Sequence, residues 1–190
     1  PSPMQVINYT SCHDNLTLWD KINSSNAEDT IEDRVKQNLL AASMVYTSQG
    51  VPFMLAGEEM LRTKVKEDGS FDHNSYASST EINSMKWDVL SEDQYKRVHA
   101  FYKGLIEFRK AHASLRMTEK TKENISFFEE VDDGVIAYEI NKAEGEVSDG
   151  IIVIYNAKTE SATVTLPKGD WNVCIKADEA GTEILDTVKG

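Results

Sequence analysis

Positive charge is what this sequence is short of. Twenty Lys and Arg stand against 32 Asp and Glu, a formal net charge of −12 over 190 residues. An excess of that sign repels phosphate backbones and anionic lipid. The places where lysines gather, Lys64 with Lys66 and Lys120 with Lys122, are diluted by Glu67, Asp68, Glu119 and Glu123. Nucleic acid is therefore excluded as a partner. Cysteine is scarce as well: Cys12 and Cys174 lie toward opposite ends and make neither a CxxC pair nor a disulfide framework, which leaves the compartment open. A membrane span is missing too, because the longest uncharged run, residues 37–57, is interrupted by Asn38, Ser43, Thr47, Ser48, Gln49, Gly50 and Pro52. GxSxG, P-loop and GxGxxG motifs are absent, and so are HxxxH, CxxC and EF-hand spacings. Serine hydrolase, nucleotide hydrolase and dinucleotide chemistry lose their support, and neither cofactor nor metal is implied. The start, Pro1-Ser2-Pro3, carries no initiator Met and no targeting signal, as expected of an excised or processed piece. At 190 residues the chain is also too short for a complete (β/α)8 barrel of roughly 250.

What is present suffices for a core: 40% hydrophobic and 27% charged residues, with three Trp, seven Tyr and six Phe. Gln5-Val6-Ile7-Asn8-Tyr9 is β-prone and runs into the polar cluster Thr10-Ser11-Cys12-His13-Asp14-Asn15. Across residues 28–48, Ile31, Val35, Leu39, Ala42 and Tyr46 recur at helical spacing, and Ser25 with Glu28 matches a capping box. Gly50 stops that helix, and Val51-Pro52-Phe53-Met54-Leu55-Ala56 reads as a strand buried on both faces. Strand, helix and strand make a βαβ unit. A polar stretch over 62–86 is too long for an ordinary connector and marks a functional or mobile loop. Ser91 and Gln94 then suggest another capping box, opening a helix whose stripe is Tyr95, Val98, Phe101, Tyr102, Leu105 and Phe108, set to cover the sheet. Past Met117 the period changes from 3.6 to 2, so a domain boundary is placed within 117–124. Strands follow at 125–128, 135–140, 151–155, 162–166 and 171–177, with Asp133-Gly134 and Lys168-Gly169-Asp170 as turns, and two packed sheets are the expected solution.

Three groups can carry chemistry. Cys12-His13-Asp14-Asn15 directly follows a parallel strand, where barrel enzymes place catalytic groups. The alternative is that Asp14 caps a short helix or closes an Asx turn, with His13 merely a hydrogen-bonding partner. Glu58 and Glu59 offer two carboxylates, yet neighbours one residue apart point in different directions and do not converge on one atom, which favours a structural role. His73 beside Asp72 and Asn74 has no metal-ligand spacing around it.

Taken together, Val6-Ile7-Asn8-Tyr9-Thr10-Ser11-Cys12-His13-Asp14-Asn15-Leu16-Thr17-Leu18-Trp19-Asp20-Lys21, Gln49-Gly50-Val51-Pro52-Phe53-Met54-Leu55-Ala56-Gly57-Glu58-Glu59-Met60-Leu61-Arg62-Thr63-Lys64 and Asp72-His73-Asn74-Ser75-Tyr76 resemble the type I pullulanases, debranching members of the α-amylase superfamily. The helix with Arg109-Lys110-Ala111 and Leu115-Arg116 is similar to the last barrel helix of that family, and Trp171-Asn172-Val173 with Ala180-Gly181 to its terminal β domain. The resemblance implies the C-terminal part of a (β/α)8 TIM barrel over 1–116, followed by an antiparallel β-sandwich over 117–190, truncated at both ends. It implies a retaining hydrolase of α-1,6 branch linkages in pullulan, starch or glycogen. Asp14 would be the transition-state stabiliser and His13 a donor to a neighbouring sugar hydroxyl, while Asn74 and Tyr76 would be weaker sugar contacts at the cleft. Cys12 replaces a small residue common in relatives and is itself small. The family's nucleophilic Asp and general-acid Glu follow earlier barrel strands, and no motif here replaces them, so the chain is expected to be inactive alone and to need the remainder of a parent chain as partner. From another class, the chain is a non-catalytic carbohydrate-binding or packing module. Trp171, the only Trp of the β region, falls in a pattern that buries it, which weighs against an exposed aromatic platform.

Overall fold

Two threonines decide where the first helices begin. In the computed structural model, which describes residues 2–119 and 121–190, Thr17 accepts from the Asp20 amide to start α1 (Leu18–Ser25), and Thr30 accepts from the Asp33 amide to start α2 (Ile31–Thr47). The Ser25 and Glu28 box is not used. Thr30 performs that work, and its hydroxyl also donates to the Asp33 carboxylate at 2.7 Å. Pro1 of the Pro1-Ser2-Pro3 start and Lys120 of the second lysine pair lie outside the described residues.

Before α1 stands β1 (Ile7–Asn8), and after α2 stands β2 (Val51–Pro52), paired in parallel with Ile7 opposite Val51 and Asn8 opposite Pro52. The βαβ unit read from the sequence is thus present, but the second strand pairs over two residues rather than six. It is not buried on both faces either. Ile7 is 62% exposed and Phe53 is 44% exposed, because among the described residues no further strand or helix covers that side of the two-stranded sheet. Gly50 makes the turn into β2 at φ 99°, and a Cβ there would sit 2.8 Å from the Val6 carbonyl, so the close approach of the strands needs glycine.

The stretch after β2 is neither regular nor loose. It holds a 3₁₀ turn at Glu58–Met60, a second at Ser75–Ala77, the four-residue α3 (Thr80–Asn83) and a third 3₁₀ segment at Trp87–Ser91. The long helix α4 (Asp93–Ala111) is preceded by Glu92 with no side-chain cap, so the Ser91 and Gln94 box is also not formed; Ser91 is taken up by the preceding 3₁₀ turns. Its stripe packs on α2 more than on the sheet. Val35, Leu39, Ala42, Val45 and Tyr46 meet Leu61, Val98, Phe101, Tyr102 and Leu105 in one core, and burying each large side chain there is worth about 1.5–3 kcal/mol.

The last turn of α4 enters a second core, where Phe108, Leu115 and Met117 meet Tyr138, Ile140, Ile151, Val153 and Tyr155. Those side chains come from a three-stranded antiparallel sheet of β3 (Ile125–Phe127), β4 (Val135–Asn141) and β5 (Gly150–Asn156). Asp133-Gly134 does lie in the β3–β4 turn, with Gly134 at φ 80°. Two short antiparallel pairs complete the region: β6 (Asp170–Val173) with β9 (Asp186–Lys189), and β7 (Ile175–Lys176) with β8 (Glu179–Ala180). Residues 162–166 alternate half-buried and exposed as the pattern predicts, yet they pair with no strand. Period-2 burial alone does not recruit a hydrogen-bonding neighbour. Trp171 is half-buried rather than packed in a core, its ring nitrogen donating to the Pro167 carbonyl at 2.9 Å.

Candidate active site

Parallel pairing puts the C-terminal ends of β1 and β2 on one edge, and the two polar loops leave from that edge. The first carries His13 and Asp14. Their side chains are 83% and 75% exposed, with His13 Nε2 3.4 Å from Asp14 Oδ2. Asp14 caps no helix, since Thr17 does so, and among the described residues its carboxylate is partnered by His13. The loop is shaped locally. Asn15 takes φ 67° and its side-chain oxygen accepts from the Leu16 amide, while the Cys12 thiol lies 3.7 Å from the Asp14 carbonyl.

The second loop carries Asn74 and Tyr76. Asn74 is exposed and its amide donates to Asp72 Oδ1 at 3.0 Å, which builds the 3₁₀ turn that holds Tyr76 out at 85% exposure. His73 is exposed, whereas Asp72 is buried and spent on that amide and the Ser78 hydroxyl. Those two bonds from Ser78 and Asn74 hold the Asp72 carboxyl below its ordinary value.

No hydrogen bond or ion pair joins the two pairs directly among the described residues. The second loop is instead tied to α1, the helix that follows the first loop, through residues that sequence reasoning did not single out. Asp20, wholly buried on α1, accepts from the Thr63 hydroxyl and from the Lys64 amide at 2.8 Å. Lys64, 4% exposed, extends its ammonium to the Ser75 hydroxyl at 2.7 Å, between Asn74 and Tyr76. Burial and the nearby Arg62 push the Lys64 ammonium down, and Asp72, Asp20 and Asp14 act against them. A buried lysine in a run of polar residues has no sequence signal of its own. Asp20 has a faint one, an acidic residue in the first turn of a helix, which reads as dipole complement before it reads as a ligand for another loop.

Glu58 and Glu59 separate as the one-residue spacing predicts. Glu59 turns back on the Gly57 amide at 2.9 Å, while Glu58 is buried and accepts from the hydroxyls of Ser11 and Tyr102. Burial is the strongest influence on Glu58 and raises its carboxyl above the ordinary value; the Ser11, Thr10 and Tyr102 hydroxyls pull it back and Glu59 raises it further.

Exposed His and Asp thus stand on a loop after a parallel strand, with a second polar loop on the same edge and an all-β region beyond, and the relatives that this chain matches are glycosidases of the α-amylase-related, debranching class. Residues 122–179 match the family model "Pullulanase, all-beta domain". The pullulanase of Bacillus subtilis (strain 168) is 33% identical over 99% of this chain and 26% of its own length. The solved pullulanase from Bacillus acidopullulyticus superposes with a TM-score of 0.91 at 41% identity, covering 100% of this chain and 23% of that one. The pullulanase from Anoxybacillus sp. LM18-11 complexed with maltotetraose gives 0.79 at 34% identity, over 90% of this chain and 24% of that one. The chain is a pullulanase homologue, and it spans about a quarter of the length of the relatives it matches.

Proposed function

We propose that the chain is part of a retaining glycoside hydrolase that cleaves α-1,6 branch linkages in α-glucans such as pullulan, starch or glycogen. In this reading residues 1–116 are the C-terminal portion of a (β/α)8 barrel and 117–190 an incomplete β-sandwich. The observation that carries it is the solvent-open His13–Asp14 pair on the loop that leaves β1 beside the parallel β2. Supporting it are the relatives, one of them solved with maltotetraose.

Asp14 holds sugar hydroxyls and stabilises the positive charge that develops on the ring as the glycosidic bond breaks, while His13 donates to a neighbouring hydroxyl. A group already in place when that charge appears needs little reorganisation, and a preorganised group of this kind contributes about 3–4 kcal/mol. Asn74 and Tyr76 line the other side of the cleft, with Tyr76 presenting a ring face to a sugar. The nucleophile and the general acid are to come from the remainder of a parent chain, so the 190-residue chain is inactive by itself. Trp171, half-buried and tied to Pro167, is poorly placed as a binding platform, which argues against the non-catalytic module.

The test uses pullulan. The purified chain should release no maltotriose. Joined in one polypeptide to a segment carrying the two missing carboxylates it should release maltotriose, and Asp14→Ala should slow that release by about 10²–10³. Release by the chain alone, abolished by Asp14→Ala, refutes the inactivity; an unchanged rate for Asp14→Ala in the joined polypeptide refutes the site.

A further inference from the structure

Beneath the loop of His13 and Asp14 lies a carboxylate to which the mechanism above assigns no part. Glu58 is 6% exposed. Its Oε2 accepts from the Ser11 hydroxyl at 2.6 Å and its Oε1 from the Tyr102 hydroxyl at 3.2 Å, while Tyr102 in turn accepts from Asn38 Nδ2 at 3.1 Å. The run Asn38, Tyr102, Glu58, Ser11 thus crosses from α2 through α4 and the turn after β2 to the loop after β1. All four residues are buried.

A carboxylate accepts only, so both hydroxyls must donate to it, and hydrogen bonds to an ionised acceptor are shorter and stronger than neutral ones. Taking a carboxylate out of water is costly unless donors converge on it. Here one donor comes from the helical core and the other from two residues before His13. The helices beneath share one buried core, whereas Cys12 is half-buried and residues 13–15 are exposed. Tying Ser11 to that buried base sets where the next residues emerge.

We propose that Glu58 is a positioning residue: its carboxylate clamps Ser11 to the α2–α4 core and thereby orients the His13–Asp14 pair at the strand edge. The consequence for glucan chemistry rests on the function proposed above; the clamp itself does not.

The experiment is NMR on the 190-residue chain and on Ser11→Ala, Glu58→Gln and Glu58→Ala. Two readouts are used: ¹⁵N order parameters of residues 12–15, and the strong intraresidue Hα–HN cross-peak that the φ of 67° gives Asn15. In Ser11→Ala the order parameters should fall from about 0.85 to below about 0.6 and the Asn15 cross-peak should weaken, with β4 and β5 unaltered. Glu58→Ala should do the same. Glu58→Gln, which keeps the size and an acceptor, should restore most of the order. An unaltered loop in Ser11→Ala overturns the proposal, and so does loosening that spreads equally to β4 and β5. If Glu58→Ala does not fold, Ser11→Ala and Glu58→Gln decide by the same criteria. Because no sugar is involved, an Asp14→Ala variant without effect on pullulan would sink the glycosidase reading and leave this result intact.

Discussion

The parallel sheet near the start of this chain and the three-stranded sheet beyond α4 are built on opposite terms. β1 and β2 pair over two residues each, and Ile7, Tyr9 and Phe53 remain 44–62% exposed, with the Tyr9 and Phe53 rings touching edge to face. β4 and β5 pair over seven residues, and Ile140 is completely buried. The difference follows from connection. Antiparallel strands are joined by a local turn and can bury one face against a single neighbour, here the end of α4. Parallel strands are joined by a long crossover and are stable when both faces are covered. The first sheet therefore depends on packing beyond its own residues, and its strand ends stay open to carry polar loops; the second buries one face, leaving Ile136 and Ile154 45% and 44% exposed on the other, and carries none of the candidate groups. The two are fastened together by Tyr138 and Tyr155, whose hydroxyls meet the carbonyl and side chain of Thr47 at the end of α2.

Arg109 gives the largest break. Its guanidinium donates to the carbonyls of Tyr46, Ser48 and Gly50, stapling the end of α2 to the entry of β2. Arg109→Ala should cost about 3–5 kcal/mol, since each buried carbonyl left without a donor costs about 1–3 kcal/mol. Urea denaturation followed separately by helical circular dichroism and by the NMR signals of β4 and β5 reads it. A coincident downward shift means the two regions are one cooperative unit, while a β4–β5 transition that stays in place means the antiparallel sheet stands alone. Arg109→Lys should rescue little, because an ammonium cannot span three acceptors as the planar fork does.

Next comes acid. Burial by itself would raise the Glu146 carboxyl, but the amides of Ser114 and Ser148, His112 and the Ser148 hydroxyl override it and bring it down from 4.5 to about 2. A depressed carboxyl contributes stability that is complete above about 4.5 and is lost as pH falls toward 2. That amounts to about 3 kcal/mol. Because Glu146 binds the end of α4 to the β4–β5 connection, Glu146→Gln should flatten the acid limb of a stability-against-pH curve between pH 5 and 2, and an unaltered limb would show that the junction does not depend on this carboxylate.

The smallest effect tests the caps. Thr30→Ala should destabilise by about 1 kcal/mol, whereas Ser25→Ala should stay within about 0.5 kcal/mol. Equal losses in thermal melts would restore the capping box that the pattern suggested.

Much of the architecture was legible in residue order. The stripe from Val98 to Phe108, the βαβ order and the hairpin at Asp133-Gly134 all follow from period and turn chemistry, which are local. Both capping boxes failed, since several Ser and Thr compete near each helix start and the choice between them rests on which backbone amide ends up facing which hydroxyl. The strand at 162–166 failed for a related reason: alternation reports which side faces the core, not whether a neighbour is there to pair with. In the candidate site, His13, Asp14, Asn74 and Tyr76 could be put forward because exposed polar residues on loops need no partner to be noticed. Asp20, Lys64 and the clamp of Glu58 on Ser11 were not, as their partners lie 11 to 47 residues away.

The sequence by itself determined the long helices, the strand–helix–strand order and the polar run that follows the first strand, because backbone propensity, apolar spacing and turn residues act over a few positions. Only the tertiary structure decided which buried polar groups hold that edge in place. A carboxylate or an ammonium out of water must find partners wherever the chain happens to bring them, and that is a property of the folded arrangement rather than of neighbours in sequence.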